Sequence, residues 1–298
     1  MNREVYETLL KKMEQYLPEG VVVAFSGVVD SALLLKLACM AAENSGQVYA
    51  VTVRTKLHPA RDMEEAAAVA EEFGAPHRVL RIDELAEAGI ETNPVNRCYL
   101  CKLGIFRKIR KLAEELGAAY ILEGTNADDL RQYRPGIRAL SELGIISPLA
   151  ACGVTKEEVR RMAAYLGISA ANRPSAPCLA TRLPYGTRID YGLLARIDEG
   201  ERYLRGLGCC NVRLRAHELT EEVNAGLQNV GQDQGSGGAG RRKWLARIEV
   251  DADDMPKLLD HRAEAAEKIK GLGFGRVSLD LEGFRSGSMD IFHTSTVI

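Results

Sequence analysis

The chain has 298 residues, of which 46% are hydrophobic and 27% charged, and its 39 Lys plus Arg residues nearly balance its 41 Asp plus Glu residues. This balance gives no electrostatic reason to expect a nucleic acid or a membrane surface as the partner. No apolar run approaches the roughly 18 to 20 residues that span a bilayer, and the first residues form no apolar signal segment. We therefore expect a cytoplasmic protein without a membrane partner, and the sequence leaves open whether it forms a homo-oligomer.

The first half of the chain alternates apolar, strand-like runs with segments of helical periodicity. Thr155-Lys-Glu-Glu158 is a capping box, which marks the start of a helix. Such alternation predicts an α/β fold, with a doubly wound parallel sheet in a first domain that covers residues 1–175. The predicted strands are 20–25, 48–53, 77–82 and 118–122, and the predicted helices are 31–40, 63–73, 101–116 and 155–166.

After Pro174 the order of the elements changes, which predicts a smaller α+β domain over residues 176–298. Within it, residues 228–242 are rich in Gly and polar side chains, as is typical of a flexible loop without a core of its own. The predicted helices of this domain are 193–207 and 255–269, and the predicted strands are 212–216, 245–250 and 277–281.

A turn of small residues, Ser26-Gly-Val-Val-Asp-Ser31, joins the first predicted strand to the first predicted helix. The helix N-terminus directs backbone N–H groups and the positive end of the helix dipole towards whatever lies above the turn, which favours a phosphate group. Neither the Gly-Lys-Ser/Thr of a Walker A loop nor the Gly-x-Gly-x-x-Gly of a dinucleotide-binding loop is present. The alternative is an ordinary turn in which Asp30 or Ser31 caps the helix.

A second polar segment, Glu123-Gly-Thr-Asn-Ala-Asp-Asp-Leu130, follows the fourth predicted strand. In an open parallel sheet, ligands collect at the carboxyl ends of the strands, so this segment and the first turn are expected at the same edge. Gly124, Asn126 and Asp129 are therefore candidates to bind a nucleotide together with Mg²⁺.

The first turn resembles the Ser-Gly-Gly-Val-Asp-Ser PP-loop of the ATP pyrophosphatases. That resemblance implies an adenine nucleotide alpha hydrolase-like domain, which binds ATP and releases pyrophosphate while it adenylylates a substrate oxygen. Ser26, Gly27, Asp30 and Ser31 match the loop and are expected to bind the nucleotide. Val28 replaces a glycine that lets the backbone approach phosphate or adopt a positive φ, which a β-branched residue resists. A nucleotide-binding protein with impaired catalysis is therefore one alternative function.

Later segments are similar to a narrower family, the LarE-type ATP-dependent sacrificial sulfur transferases of nickel-pincer nucleotide biosynthesis. The likeness rests on Ser147-Pro-Leu149, Pro177-Cys-Leu-Ala-Thr-Arg182 and Leu279-Asp-Leu-Glu-Gly-Phe-Arg-Ser-Gly-Ser288. It implies that ATP and Mg²⁺ activate a carboxylate of a small-molecule pyridinium mononucleotide. Sulfur then displaces AMP and gives a thiocarboxylate for the nickel-pincer cofactor of lactate racemase. A tRNA-thiolating enzyme of the same superfamily is the other alternative, although the charge balance is poor for a polyanion.

Seven cysteines at irregular spacing indicate thiol or metal chemistry more than a disulfide framework. The resemblance makes Cys178 the sulfur donor, and Arg182 is expected to favour its thiolate and to contact the substrate. Cys98-Tyr-Leu-Cys101 can bring two thiolates to one metal. Relatives with three cysteines imply a [4Fe–4S] cluster on Cys98, Cys101 and Cys178; a sacrificial Cys178, or packed cysteines without a metal, are the alternatives. Packing roles are assigned to Cys39, Cys152, Cys209 and Cys210.

Four charged residues of the second domain complete the candidate site. Arg213 and Arg215 stand two residues apart on a predicted strand, so they share one face and are expected to bind the substrate phosphate. A solvated strand face is the alternative. The family resemblance adds Glu201 and Glu249 as candidates to hold a divalent cation, although each could equally be a surface carboxylate.

Overall fold

The computed structural model describes residues 2–42, 47–59, 61–132, 134–172, 177–219, 244–285 and 289. The chain forms two compact units, Met1–Pro177 and Cys178–Ile298. The boundary expected from the sequence, between residues 175 and 176, and the Gly-rich segment 228–242 both lie outside the described residues. Within the described ranges, no helix is both long and apolar enough to cross a membrane.

The first unit is built on a parallel sheet of four strands. β1 (Val21–Ala24) lies between β2 (Val48–Arg54) and β4 (Tyr120–Leu122), and β3 (His77–Arg81) pairs with the other edge of β2. In the order β3-β2-β1-β4, the chain winds outwards from β1 in one direction and then returns to its other side. The loop after β1 is therefore at the switch point where doubly wound sheets bind ligands. The α/β fold class predicted from the sequence is confirmed.

Helices cover both faces of this sheet, and alternate residues of β1 enter two different cores. Val21 and Val23 pack into one hydrophobic cluster with α2, whereas Val22 packs into another with α5. The helices of this unit are α1 (Arg3–Tyr16), α2 (Val29–Ala41), α3 (Arg61–Glu72), α4 (Glu84–Ala88), α5 (Arg97–Glu115), α6 (Pro135–Glu142), α7 (Pro148–Ala151) and α8 (Lys156–Tyr165).

Two helices differ from the sequence-based expectation in a way that matters below. Helix α1 was not expected, although Leu9 and Met13, one turn apart, are its buried residues. Helix α5 begins at Arg97 instead of residue 101, and Asn96 before it makes no side-chain capping bond that would mark the start. Both cysteines of the C-x-x-C pattern therefore lie inside this helix.

The second unit contains a three-stranded sheet. β5 (Val212–Glu218) is antiparallel to β6 (Trp244–Val250), and β6 is parallel to β7 (Arg276–Leu279). Helix α9 (Tyr191–Gly206) packs against β5 through Gly200, where an added Cβ would lie 2.6 Å from a Leu214 methyl carbon. The single helix expected over 255–269 is wrong, because two helices, Met255–Asp260 and Arg262–Gly271, meet at His261.

One buried carboxyl group of the first unit has no compensating charge beside it. Glu84 begins α4, is 1% exposed, and neither of its side-chain oxygens accepts a hydrogen bond of good geometry from the described residues. Burial raises the pKa of Glu84 to about 7, and the neighbouring Thr55 hydroxyl offsets part of that rise. Folding therefore favours the neutral acid at this position.

Candidate active site

The turn after β1 is held by hydrogen bonds between its own serines and backbone. Ser31 Oγ lies 3.0 Å from Ser26 Oγ, accepts from the Ser26 N–H at 3.2 Å and donates to the Val28 carbonyl at 3.0 Å. Helix α2 begins at Val29, within this turn, so the first N–H groups of that helix have no intrahelical acceptor. The turn is thus a pre-formed loop at a helix N-terminus, which suits a phosphate group.

Gly27 is the residue of this turn that requires glycine. Its φ is +75°, and an added Cβ would lie 2.7 Å from the Ala66 Cα in α3. Any side chain here would strain the backbone and collide with a neighbouring helix. The close approach of the turn to α3 therefore depends on Gly27.

Val28 does not carry the strain that was expected from the sequence. Its φ of −84° and ψ of 156° are ordinary extended values that any residue adopts. Its side chain is half-buried and packs against the core cluster that contains α2. The expectation of backbone strain at Val28 is therefore wrong, because the positive φ belongs to the preceding residue, Gly27, whereas the expected effect of the side chain on the approach to phosphate stays a prediction.

We expect Val28→Gly to leave pyrophosphate release within about twofold of the wild-type rate. The substitution frees no strained backbone and removes a packed side chain, so the free energy of unfolding should fall by about 1 kcal/mol. Steady-state pyrophosphate release and urea denaturation of the two proteins test this. A large gain in rate would show that the valine side chain, though unstrained, obstructs the loop.

Asp30 connects the turn to the polar segment after β4. Asn126 Nδ2 donates to Asp30 Oδ1 at 3.1 Å, and Lys156 Nζ forms an ion pair with Asp30 Oδ2. Gly124 allows the approach, because a Cβ there would lie 3.0 Å from the Ser31 nitrogen and 3.1 Å from the Asp30 Cβ. The two polar segments predicted to share one edge of the sheet are in contact.

The loop of Asn126 is ordered by its own side chains. Asn126 Oδ1 accepts from the N–H groups of Asp128 at 3.0 Å and Asp129 at 3.2 Å, and its own N–H donates to Asp129 Oδ2 at 3.2 Å. Asp129 also pairs with Arg134 at 2.9 Å. Asp128 accepts from the Lys156 N–H at 2.8 Å, which fixes the start of α8 against this loop.

Three charged residues at this edge, Lys156, Glu123 and Lys102, were not among the site residues predicted from the sequence. Lys156 belongs to the predicted capping box, but its pairing with Asp30 has no local signal. Buried Glu123 accepts from the Thr125 N–H at 3.0 Å, and its carboxylate lies 3.9 Å from Lys102 Nζ. Lys102 stands four residues after Cys98 on α5. Two lysines therefore add positive charge where the strands end.

The residues present fit ATP and Mg²⁺. Backbone N–H groups at the start of α2 suit phosphate oxygens, and Gly124 lets the loop after β4 approach the start of that helix. Mg²⁺ is usually held by one or two carboxylates together with nucleotide phosphates. Asp30 and Asp129 would provide those carboxylates, and the ion would neutralise charge on the phosphates.

Cys98 and Cys101 lie in the first turns of α5. Cys98 is exposed and Cys101 half-buried. The buried Arg97 guanidinium bonds to Asn93 and lies 3.9 Å from Cys98 Sγ. Within either unit, the described residues gather no group of three or more His, Cys, Asp or Glu side chains able to hold a metal ion. The pair alone is therefore an incomplete donor set for an iron–sulfur cluster.

Cys178 precedes a short 3₁₀ helix, Leu179–Arg182, at the start of the second unit. Cys178 is half-buried. Its carbonyl accepts a hydrogen bond from the Thr181 N–H at 3.0 Å and another from Thr181 Oγ1 at 2.8 Å. The Arg182 guanidinium also reaches this carbonyl, at 3.5 Å. Arg182 therefore contacts the backbone of the turn, and its expected effect on the Cys178 thiol stays a prediction.

Arg182 and Arg215 both belong to buried ion pairs. Arg182 donates from Nε and Nη2 to the two oxygens of Glu201, at 2.7 and 3.0 Å. Arg215 donates to Glu249 Oε2 at 3.1 and 2.9 Å. Glu201 and Glu249, expected to hold a divalent cation, are 1% and 0% exposed, and each accepts hydrogen bonds from an arginine. The structure gives both carboxylates a partner within the protein.

Arg213 differs from its two neighbours. Its guanidinium lies 4.8 Å from the centre of the Phe284 ring, and Nη1 donates to the Val212 carbonyl at 2.7 Å. In the part of the chain that the structure describes, no carboxylate forms an ion pair with it. Burial and the nearby Arg182 charge lower the pKa of Arg213 to about 10, so it remains charged at neutral pH. Glu201 is close enough to raise this pKa slightly, but it is paired with Arg182, so Arg213 has no ion-pair partner among the described residues.

The remaining cysteines largely fit packing roles. Burial raises the pKa values of Cys39, Cys152 and Cys209, which disfavours their thiolates. Cys210 is exposed, so the packing role assigned to it from the sequence is wrong. Its backbone N–H donates to Asp254 at 2.8 Å, which holds the turn before β5.

Comparison with known proteins finds a family model and several relatives that match the chain. A family model described as NAD synthase matches residues 1–98. The Synechocystis protein slr1717 is 35% identical over 289 residues, covering 95% of this chain and 97% of the relative. The pyridinium-3,5-bisthiocarboxylic acid mononucleotide synthase of Lactiplantibacillus plantarum is 32% identical over 272 residues, covering 91% and 89%. The tRNA-specific 2-thiouridylase MnmA of Rickettsia felis is 28% identical over 195 residues and covers 52% of each chain.

The synthase is 32% identical over 91% of this chain, whereas the thiouridylases of Rickettsia felis and Zymomonas mobilis are 28% identical over 52% and 78% of it. The turn after β1 and its contacts with the loop after β4 are those expected for a PP-loop. The chain therefore belongs to the family of the pyridinium-3,5-bisthiocarboxylic acid mononucleotide synthase, the LarE family of the PP-loop ATP pyrophosphatase superfamily.

Proposed function

We propose that this protein is an ATP-dependent sulfur transferase that acts on a pyridinium carboxylate mononucleotide. It adenylylates the carboxylate with release of pyrophosphate and then inserts sulfur, which gives the thiocarboxylate used in nickel-pincer nucleotide synthesis. The observation that carries this proposal is the contact of Asp30 with Asn126 and Lys156, which unites the PP-loop with the loop after β4. Membership of the family supplies the substrate class.

In the first step, a substrate carboxylate oxygen attacks the α-phosphorus of ATP, and the bond from that phosphorus to the pyrophosphate oxygen breaks. The N–H groups at the start of α2 and the hydroxyl of Ser26 are placed to hold the leaving pyrophosphate. Lys156 adds a positive charge that can shift from Asp30 to a phosphate oxygen as charge develops. Bound Mg²⁺ would neutralise the polyphosphate.

In the second step, sulfur attacks the activated carboxyl carbon, and AMP leaves with the electrons of the broken C–O bond. In the sacrificial route, the Cys178 thiolate forms a thioester with the substrate. Loss of the Cys178 α-proton then breaks its Cβ–Sγ bond, which leaves dehydroalanine in the chain and the thiocarboxylate on the product. Each protein chain would then act once.

The alternative sulfur source is sulfide on a [4Fe–4S] cluster held by Cys98, Cys101 and Cys178. This proposal rests on the three-cysteine pattern and on the position of the first two cysteines, one turn apart on α5. Such a source would permit repeated turnover. Iron and sulfide content separates it from the sacrificial route, independently of activity.

We assign the substrate phosphate to Arg213. Its guanidinium is stacked on Phe284, is partly buried and has no carboxylate partner among the described residues. A buried cation without a counterion favours a bound anion, and a guanidinium matches phosphate geometry. The oligomeric state and the cellular compartment, taken as cytoplasmic, remain expectations from the sequence.

The two rival functions have less support. A tRNA-thiolating enzyme would share the PP-loop, but the two thiouridylases compared are 28% identical over 52% and 78% of this chain, against 32% over 91% for the synthase. A catalytically impaired nucleotide-binding protein was suggested by Val28, whose backbone conformation is unstrained. Both rivals are tested by the same assay.

The assay supplies ATP, Mg²⁺ and pyridinium-3,5-dicarboxylic acid mononucleotide, and measures pyrophosphate, AMP and thiocarboxylate. We expect pyrophosphate and AMP in equal amounts, dependent on the mononucleotide, and no ADP. Unmodified tRNA serves as the comparison acceptor and should not stimulate pyrophosphate release. Formation of ADP, stimulation by tRNA or a complete lack of pyrophosphate would each refute the proposal.

A further inference from the structure

We propose that Arg182 and Arg215 are positioning residues that lock the turn of Cys178 onto the edge of β5, and that Arg213 alone among these arginines binds the substrate anion. The sequence assigned all three to substrate binding. This inference rests on the proposed function for the identity of the anion. The locking of the turn is independent of that function.

The first lock joins the turn to α9 and β5 through one carboxylate. Glu201 Oε1 accepts from Arg182 Nε at 2.7 Å and from the Leu214 N–H at 3.0 Å. β5 is the outer strand of its sheet, so this backbone donor depends on a side-chain acceptor. Arg182 also donates to Thr181 Oγ1 at 2.8 Å and to the Cys178 carbonyl at 3.5 Å. A single network therefore ties Cys178 to the strand edge.

The second lock comes from the strand itself. Arg215 Nη1 donates to the Thr181 carbonyl at 2.8 Å, while its Nε and Nη2 are held by Glu249 on β6. Glu249 also accepts from Arg247 Nη2 at 2.9 Å. The carbonyl at each end of the turn thus accepts a hydrogen bond from a different arginine. Arg182 bonds to the Cys178 carbonyl and Arg215 to the Thr181 carbonyl.

The burial of Arg182 and Arg215 argues against a role for either in binding a ligand. Arg182 is 3% and Arg215 4% exposed, and each faces a fully buried carboxylate. Removing one member of such a pair leaves an unpaired buried charge, which is strongly destabilising, so neither guanidinium is free to transfer its bonds to a substrate. Arg213, on the same strand, keeps no such partner among the described residues.

The function of the locks is to hold Cys178 at a fixed position despite its place in an irregular segment. A nucleophile in a flexible turn would lose the orientation that brings its sulfur to the activated carboxyl carbon. Because Cβ–Sγ cleavage or sulfide transfer also requires a defined geometry, the same locks serve either sulfur source.

The test uses the full-length protein and four variants, Arg182→Lys, Glu201→Gln, Arg215→Lys and Arg213→Lys. Amide hydrogen exchange reports on the turn through Thr181, whose N–H donates to the Cys178 carbonyl at 3.0 Å, and Leu183, whose N–H donates to the Ala180 carbonyl at 3.2 Å. Amides of α2, which belongs to the first unit, serve as the internal reference. Titration with the mononucleotide reports on substrate binding in the same proteins.

We expect the Arg182, Glu201 and Arg215 variants to exchange at Thr181 and Leu183 at least tenfold faster than wild type, relative to the amides of α2. Their mononucleotide affinity should stay within about threefold. Arg213→Lys should show the reverse, with an unchanged turn and affinity lower by roughly tenfold or more, because Lys cannot reproduce a bidentate contact.

The effect of Glu201→Gln is decisive, because glutamine retains the size of the side chain and Glu201 is not a cation that could bind the anion. Wild-type exchange rates at Thr181 and Leu183 in this variant would overturn the inference. So would a loss of mononucleotide affinity in the Arg182 and Arg215 variants while those exchange rates stay at the wild-type value. If wild-type protein fails to bind the mononucleotide, the proposed function fails, and the exchange data still decide whether the turn is locked.

Discussion

Cys178→Ala is expected to abolish thiocarboxylate formation while pyrophosphate release continues within several-fold of the wild-type rate. Removal of a catalytic nucleophile typically costs on the order of 10⁴-fold or more in turnover. Adenylylation, in contrast, is assigned to the PP-loop, Asn126 and Lys156 of the first unit, none of which the substitution changes. Pyrophosphate release and mass spectrometry of the product measure the two steps separately.

Cys210→Ala is the matched control, because Cys210 is an exposed cysteine of the same unit. It should retain both steps. Continued thiocarboxylate formation by Cys178→Ala would contradict the role of Cys178 in either sulfur route.

The wild-type protein also reports its sulfur source in this experiment. A single turnover followed by the loss of the mass of H₂S from Cys178 indicates the sacrificial route. Repeated turnover, with roughly four irons per chain after anaerobic reconstitution, indicates the cluster. In the second case Ser at position 98, 101 or 178 should remove the bound iron, whereas Cys210→Ala should not.

Glu84→Gln is expected to stabilise the protein at neutral and alkaline pH by about 3 kcal/mol. The folded-state pKa of Glu84 is raised to about 7 from an ordinary value of 4.5, so the folded protein binds this proton more tightly than the unfolded chain. The contribution of Glu84 to the free energy of unfolding is therefore fully present below about pH 4.5 and is lost as the pH rises towards 7. A shift of this size corresponds to about 3 kcal/mol, and Gln resembles the neutral acid at every pH.

Urea denaturation between pH 5 and pH 8 measures the effect. The difference between variant and wild type should be small at pH 5 and should reach its full size at pH 8. Glu87→Gln is the control, because Glu87 lies on the same helix but is paired with Lys108 at the surface. A difference that does not change with pH would show that Glu84 does not titrate as expected.

The sequence was sufficient to predict those features that are formed by residues close together along the chain. The PP-loop depends on bonds between Ser26 and Ser31 and on the positive φ of Gly27, all within one turn. The capping box at Thr155 is likewise formed by neighbours, and its reciprocal bonds are present. Strands of apolar residues alternating with helices determined the parallel sheet, because only a fold with helices on both faces buries such strands.

Tertiary structure alone decided the partners of charged groups, since an ion pair leaves no periodic trace in the sequence. Lys156 meets Asp30 across 126 positions of the chain. The arginine partners of Glu201 and Glu249 were likewise not predicted from the sequence, because a buried carboxylate is stabilised by a cation that only the fold brings near. The same pairing separates Arg182 and Arg215, each bonded to a buried carboxylate, from Arg213, which we propose binds the substrate phosphate.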